Sequence, residues 1–343
     1  MVVLIAWGKA IAEVTTDENA KSRYAILLSP KLRHFLAMTD LIYFLAGIIC
    51  AGLGGELFIR GTVGLASCLR VSASIIGVTV AAFATSSPEL SVGISSALAG
   101  TPQIVLGNCV GSNVLNVALI LGLALLIGAI HVSRDDIGRN FLTSLLTPVA
   151  IGVLAVDGML SRLDGILLLA VFAIWMTVVV VEARKQRSTT GRALSQPRVW
   201  TAVSFCAIGL ILLIAAGRLV VVGASGIAVL LGIDKFVVGA VFIAVGTTIP
   251  EFATTVISKL RGHEEIGLNT ILGSNIFNGL LIIGIVSVIH PIVIKWGELR
   301  VALLFGVATV AMILPSRCGL IPRWRGAILL AMYVAYVIAT LWR

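Results

Sequence analysis

Apolar positions in this chain run in blocks of span length rather than in scattered strands, and polar positions gather in short gaps between the blocks. From residue 41 onward the blocks fall near 41–66, 71–97, 103–129, 139–157, 163–182, 200–224, 235–259, 266–289, 298–315 and 324–342. At 1.5 Å rise per residue, about 20 residues cross the hydrocarbon core of a bilayer, so each block predicts a transmembrane helix. The second, third, seventh and eighth blocks are interrupted by Pro, Gly and polar residues, which predicts kinked or broken helices there. Residues 1–40 read as a tail of no assigned function. Its apolar start, 1–8, is too short for a usual signal-peptide core, and 13–23 is too polar for a span.

Composition supports the same picture. Hydrophobic residues make up 59% of the 343, and charged residues only 12%, where a soluble domain carries about 25% charge. Such a chain cannot supply a polar surface around a soluble core. The net charge of +9 does not indicate a nucleic-acid partner, because no basic motif is interleaved with aromatics. Arg184, Lys185, Arg187, Arg192 and Arg198 instead cluster in the longest gap, 183–199. Placing that linker in the cytoplasm puts fourteen Lys and Arg of residues 41–343 inside and six outside, with the tail counted apart, in keeping with the positive-inside rule and with both termini outside. The five cysteines show no CxxC spacing, so neither a disulfide framework nor a zinc site is indicated.

The two halves repeat at a constant offset of 162 residues. Residues 77–89, GVTVAAFATSSPE, match 239–251, GAVFIAVGTTIPE, and 111–116, GSNVLN, match 273–278, GSNIFN. Without a gap, 17 of 46 positions are identical between 77–122 and 239–284. Apolar composition yields chance matches of Leu, Ile and Val, but it does not place Thr, Pro-Glu, Gly-Ser-Asn and Asn twice in one order. The predicted organisation is a first five-helix repeat at 41–182, the basic linker at 183–199 and a second repeat at 200–343. Five spans separate equivalent positions. An odd number inverts the second copy, as in many secondary transporters. The fold class expected is therefore an all-α integral membrane protein of about ten helices in two inverted-topology repeats.

Glu89 and Glu251 are the residues hardest to place in hydrocarbon, where an acidic side chain costs about 2.5–3.5 kcal/mol on insertion scales. No Lys or Arg lies within 72–97 or 236–258 to pair with them locally. Each follows a proline, Pro88 or Pro250, which frees the carbonyl of Ala84 or Gly246 and breaks the helix beside the carboxylate. Thr85 and Thr247 lie one turn before, and Ser86 and Thr248 add hydroxyls, which bond back to freed carbonyls or face a ligand. Ser112 and Asn116, like Ser274 and Asn278, are spaced by four and share a helix face. Gly111 and Gly273 permit close helix approach, aided by Gly107 in the first copy. Asn113 and Asn275 fall on another face, where they would cap or cross-link broken helices.

Together these groups offer oxygen ligands without thiolate or imidazole. That is the chemistry of hard cations such as Ca²⁺ and Na⁺, with H⁺ able to compete at the carboxylates. His131, His263 and His290 sit at block edges in no ligand pattern, and Glu264, Glu265 and Asp164 read as solvated loop charges. An enzyme would show an asymmetric catalytic set, whereas here the polar residues are duplicated, so no catalytic residues and no cofactor are expected.

These motifs resemble the sodium/calcium exchanger family of the cation/calcium antiporter superfamily over about 41–343. The resemblance implies ten helices, a midplane site and Ca²⁺ extrusion driven by Na⁺ entry in a prokaryotic inner or plasma membrane. By motif position it makes Glu89 and Glu251 the acidic ligands. Thr85, Ser86, Ser112, Thr247, Thr248 and Ser274 would supply further oxygens, and Asn116 and Asn278 would complete the ring. Several family members carry Asp at the position of Asn278, a difference that bears on charge and coupling. H⁺/Ca²⁺ or other cation antiport is the alternative reading, and a non-transporting membrane scaffold the alternative from another class. The partners implied are the lipid bilayer, Ca²⁺ and Na⁺, with no obligatory protein partner inferable from the sequence.

Overall fold

The structure is a computed structural model that describes residues 30–132, 134–189, 199–230, 248–294, 296–316 and 318–341. Eleven helices and four two-residue strands are described. Helix α1 spans Pro30–Leu69, α2 Ala73–Thr85, α3 Ser87–Leu98 and α4 Pro102–Ile127. Strand β1 (Ile130–His131) leads into α5 (Arg134–Leu154), and β2 (Met159–Leu160) into α6 (Arg162–Thr189). After the central linker come α7 (Val199–Leu230), α8 (Ile249–Leu260) and α9 (Glu264–Ile289). Strand β3 (Ile292–Val293), α10 (Trp296–Met312), β4 (Leu320–Ile321) and α11 (Trp324–Leu341) complete the described chain.

Six of these helices are long and apolar enough to cross a membrane, and the bent pair α2–α3 makes a seventh. Shorter apolar stretches, Leu299–Met312 and Trp324–Thr340, occupy the ninth and tenth expected blocks. Of the seventh block only Thr248 onward is described. Helix α1 begins at Pro30, ahead of the first expected block, and its apolar crossing segment starts at Met38.

Helices α4 and α9 form the centre. Their apolar windows are 72% and 83% buried, against 17% for α6 and 28% for both α1 and α7. The outer helices expose Ile174, Leu167, Ile211 and Leu53, which water would not tolerate as a continuous belt but lipid does. Helices α4 and α9 each contain one π-helical turn, at Asn116–Leu121 and Phe277–Ile282, so the irregularity itself recurs within one residue of the repeat offset.

Helices α1 and α7 pack antiparallel along glycines. A Cβ on Gly47 would meet Val220 at 2.7 Å, and one on Gly54 would meet Leu212 at 2.9 Å. At Gly209 the backbone nitrogen of Phe58 would lie 2.5 Å from any added Cβ, so only glycine fits that crossing. The stripe repeats as well, since Gly47, Gly61 and Gly64 stand 162 residues before Gly209, Gly223 and Gly226.

Two small antiparallel ribbons mark the ends of the bundle. Ile130 pairs with Ile321 and His131 with Leu320, while Met159 pairs with Val293 and Leu160 with Ile292. Strands β1 and β3 are repeat equivalents, yet β3 joins β2, which lies at the far end of α5 from β1. Equivalent segments therefore sit at opposite ends of the bundle. Ionic contacts gather basic residues at the β1–β4 end. Lys259 binds Glu264 at 2.5 Å and the carbonyl of Ala129, Arg323 donates to Leu126 O at 2.5 Å, and Arg139 pairs with Glu182.

Candidate cation-binding site

The helix breaks fall two residues before the prolines of the expected Pro-Glu steps. Ser86 (φ −85°, ψ 4°) interrupts α2 and α3, which are bent by 45°, and Thr248 has nearly the same backbone (φ −93°, ψ 1°) ahead of α8. Pro88 and Pro250 thus occupy the first turn of a new helix, where a missing N–H breaks no hydrogen bond. Glu89 and Glu251 fall in that same first turn. Free backbone N–H groups and the positive end of the helix dipole there favour a carboxylate that bare hydrocarbon would reject. The carbonyl of Ala84, freed by Pro88, is taken up by Ser87 Oγ at 2.7 Å. Ser87 has Ile249 as its repeat equivalent, so duplication gave no reason to single it out.

Both glutamates are 1% exposed. The two halves meet on Glu251, whose Oε1 lies 3.5 Å from Ser86 Oγ and 3.3 Å from Ser274 Oγ. Thr85 Oγ1 is 3.4 Å from Ser274 Oγ and 3.3 Å from Ala82 O. Such separations exceed the O–H···O mode of about 2.7–2.8 Å. They describe oxygens grouped around a common space more than tightly bonded partners. Ser87, not Thr85 or Ser86, takes the freed carbonyl, which leaves the hydroxyls of Thr85 and Ser86 turned toward the second copy.

Behind this group α4 and α9 are stitched by four asparagines. Asn113 Nδ2 donates to Asn275 O at 3.1 Å, and Asn275 Nδ2 donates to Asn113 O at 3.2 Å. Asn116 Nδ2 donates to Asn275 Oδ1, and Asn278 Nδ2 to Asn113 Oδ1, both at 3.1 Å. The expected cross-linking face of Asn113 and Asn275 is thus a reciprocal pair, and it also reaches Asn116 and Asn278. After these bonds are made, Asn116 Oδ1, Asn278 Oδ1, Ser112 Oγ and Glu251 Oε2 are buried with no hydrogen-bond partner among the described residues. Unpaired buried acceptors are costly enough that clustered ones mark a place for a ligand or ion.

Of the other expected ligands, Thr248 is 3% exposed in the break before α8, and Thr247 lies outside the described residues. Gly273 crosses α2 closely: a Cβ there would meet Ala82 Cβ at 2.6 Å and Val78 O at 2.7 Å. The Gly107-xxx-Gly111 spacing makes no equivalent seam among the described residues. Gly107 faces open space and Gly111 meets only the Tyr336 hydroxyl, at 3.5 Å. The corresponding α2 positions in the second copy, 240 and 244, are outside the described residues.

Two loop readings change. Glu264 is not a solvated charge: it opens α9, pairs with Lys259 and accepts from His131 N at 2.6 Å. Asp164 is a cap, accepting from Ser161 N at 2.8 Å and Ser161 Oγ at 2.6 Å at the start of α6.

Among the described residues no group of three or more His, Cys, Asp or Glu is placed to hold a metal. Glu251 is thus met by neutral hydroxyl oxygens from both copies, and Glu89 is equally buried at the matching position of the first copy. That set suits exchangeable hard cations better than a tightly held transition metal.

Comparisons with known proteins converge on one family. The profile described as "Sodium/calcium exchanger protein" matches residues 39–181 and again 201–342. The inner membrane protein YrbG of Escherichia coli is 33% identical over 261 residues, covering 74% of this chain and 75% of that protein. The sodium/calcium exchanger MaX1 of Methanosarcina acetivorans is 26% identical over 345 residues, covering 87% and 97%. The solved structure of the sodium/calcium exchanger from Methanococcus jannaschii superposes with a TM-score of 0.75 at 28% identity, over 87% of this chain and 97% of that one.

Proposed function

The chain belongs to the sodium/calcium exchanger protein family, and from that premise we propose that it exchanges Na⁺ for Ca²⁺ across a membrane at a single site shared by its two halves. One observation carries the assignment of the site. Hydroxyls from both copies, Ser86 and Ser274, converge on Oε1 of Glu251, while Glu251 Oε2 and buried oxygens of Ser112, Asn116 and Asn278 have no hydrogen-bond partner among the described residues.

In this reading Glu89 and Glu251 balance the charge of one Ca²⁺. Thr85, Ser86, Ser112, Thr247, Thr248, Ser274, Asn116 and Asn278 complete the six to eight oxygens that Ca²⁺ takes. Na⁺ ions use the same oxygens, so the two cargoes exclude one another and transport is coupled without any chemical reaction. No cofactor enters this scheme. Alternating access moves the α1–α7 pair over the α4–α9 core in inverted five-helix repeats, 41–182 and 200–343. The glycine-lined α1–α7 contact supports such a pair moving as one body, and small sliding of packed helices is a common form of domain closure. Ca²⁺ extrusion driven by Na⁺ entry is the proposed direction, with the basic linker and the β1–β4 end cytoplasmic and both termini outside. The basic residues gathered at that end support this orientation.

Reconstituted into Na⁺-loaded liposomes, the protein should take up Ca²⁺ when an outward Na⁺ gradient is imposed without a pH gradient. Uptake that follows a pH gradient and ignores the Na⁺ gradient would overturn Na⁺ coupling in favour of H⁺.

A further inference from the structure

The asparagines at the α4–α9 crossing play two different parts. The side chains of Asn113 and Asn275 use both amide ends, whereas Asn116 and Asn278 each keep an oxygen to spare. An asparagine amide has nearly the same outline whichever way it is turned, with a donor at one end and an acceptor at the other. Some neighbour must decide which end faces the cation. Here the deciding groups are two backbone carbonyls, and a carbonyl can only accept.

Asn275 O holds the Nδ2 of Asn113, so Asn113 must turn its Oδ1 the other way. That Oδ1 accepts from Asn278, so Asn278 must spend its Nδ2 there and release its own Oδ1. The mirror sequence runs from Asn113 O through Asn275 to Asn116. Each step leaves one orientation only. The four residues are between 1% and 9% exposed, so bulk water does not compete for these bonds.

We propose that Asn113 and Asn275 are positioning residues of the cation site, each fixing the amide of the opposite copy's ligand so that oxygen and not NH₂ faces the ion. The inference rests on the reading above that Asn116 and Asn278 bind the cargo. A flipped amide would aim N–H dipoles at a cation in a place shielded from water, turning attraction into repulsion. The scheme also gives asparagine at 278 a reason. An ionised aspartate there would face Asn113 Oδ1 with no proton to donate, a clash that the amide of Asn278 avoids.

The test uses the full chain in liposomes and compares the Ca²⁺ KM and Vmax of Asn275→Ala, Asn116→Ala, Asn116→Asp and Asn116→Asp/Asn275→Ala. Asn275→Ala should raise KM about tenfold or more, the effect of losing one charge-assisted contact, with Vmax within about twofold. An aspartate at 116 has oxygen at both ends and no polarity to set, so in that background Asn275→Ala should leave KM unchanged or lower it. Equal increases in KM in both backgrounds would overturn the proposal, because simple packing would produce them. An unchanged KM in Asn116→Ala would instead remove the underlying ligand reading. An increase in Asn116→Ala with none in Asn275→Ala would sink the positioning role alone. Asn113→Ala, alone and with Asn278→Asp, repeats the measurement in the other copy. Loss of assembly in both alanine variants that Asp at 116 or 278 does not repair would also count against it.

Discussion

The α3–α4 and α8–α9 hairpins are built on one backbone and finished with different chemistry. Gly100 and Gly262 turn through φ of 75° and 74°, and the residues that follow, Thr101 and His263, have ψ of 51° and 52°. Yet Ala97, Ala99 and Pro102 in the first hairpin correspond to Lys259, Arg261 and Glu264 in the second. The glutamates, serines and asparagines of the centre are kept in both copies, while charge at the tips occurs in one. Duplication thus preserved what the cation would touch and left the ends free to diverge. In consequence the second hairpin is tied by Lys259 to the carbonyl of Ala129, between α4 and β1, and ionically by Arg261 to α1, and the first has no counterpart to those ties at its equivalent positions.

If the centre is shared equally, damage to either glutamate should be comparable and severe. Glu89→Gln and Glu251→Gln each remove one charge from the proposed cation site. Breaking a buried charge pair costs about 3–5 kcal/mol, or roughly a hundredfold to several thousandfold in occupancy. Each variant should therefore lose Ca²⁺ uptake by at least about a hundredfold at subsaturating Ca²⁺, with a size-exclusion profile unchanged from the parent. Loss in only one of the two variants would break the equivalence of the halves at the site.

The tips should behave in the opposite way. Lys259 is 9% exposed in its side chain and Glu264 19%, so the pair lies between a surface and a buried bridge. Lys259→Ala leaves the Glu264 carboxylate and the Ala129 carbonyl without a cation, and should destabilise by about 1–3 kcal/mol. Thermal unfolding in detergent would show this as a lowered Tm, with part of the loss recovered in Lys259→Ala/Glu264→Ala. Ala97→Ser at the equivalent position should change little. A Tm unaffected by Lys259→Ala would mean the contrast between the hairpins is one of appearance only.

The sequence made the shared centre legible because its polar residues recur in order at one offset in an apolar background. Pro88 and Pro250 announced the breaks, and their carboxylates fell where the helix ends could support them. The tips were illegible for the same reason in reverse. Lys259, Glu264 and Glu56 have no repeated partner, and contacts such as Lys259 to Ala129 join residues far apart in the chain. Gly47, Gly61 and Gly64 did repeat, at Gly209, Gly223 and Gly226, but lone glycines scattered through apolar helices carry little weight until the crossing is seen. The amide orientation of Asn116 and Asn278 had no sequence signal, since it is set by main-chain carbonyls brought together only by folding.

The smallest expected effect lies where the second hairpin meets α1. Glu56 receives Arg60 Nε at 2.7 Å and Arg261 Nε at 2.8 Å, joining the α1 helix to the residue just beyond α8. The arginine side chains are 59% and 55% exposed, so solvent and salt screen both pairs. Glu56→Gln should therefore alter stability by less than about 1 kcal/mol, and the difference should vanish as ionic strength rises to about 1 M. If α1 moves against α8 during transport, this variant should also change the Ca²⁺ exchange rate more at low salt than at high salt, with KM unchanged. A stability loss that persists at high salt would show that Glu56 acts through packing and not through charge. The ionic tie between α1 and the second hairpin would then be no part of what separates the two copies.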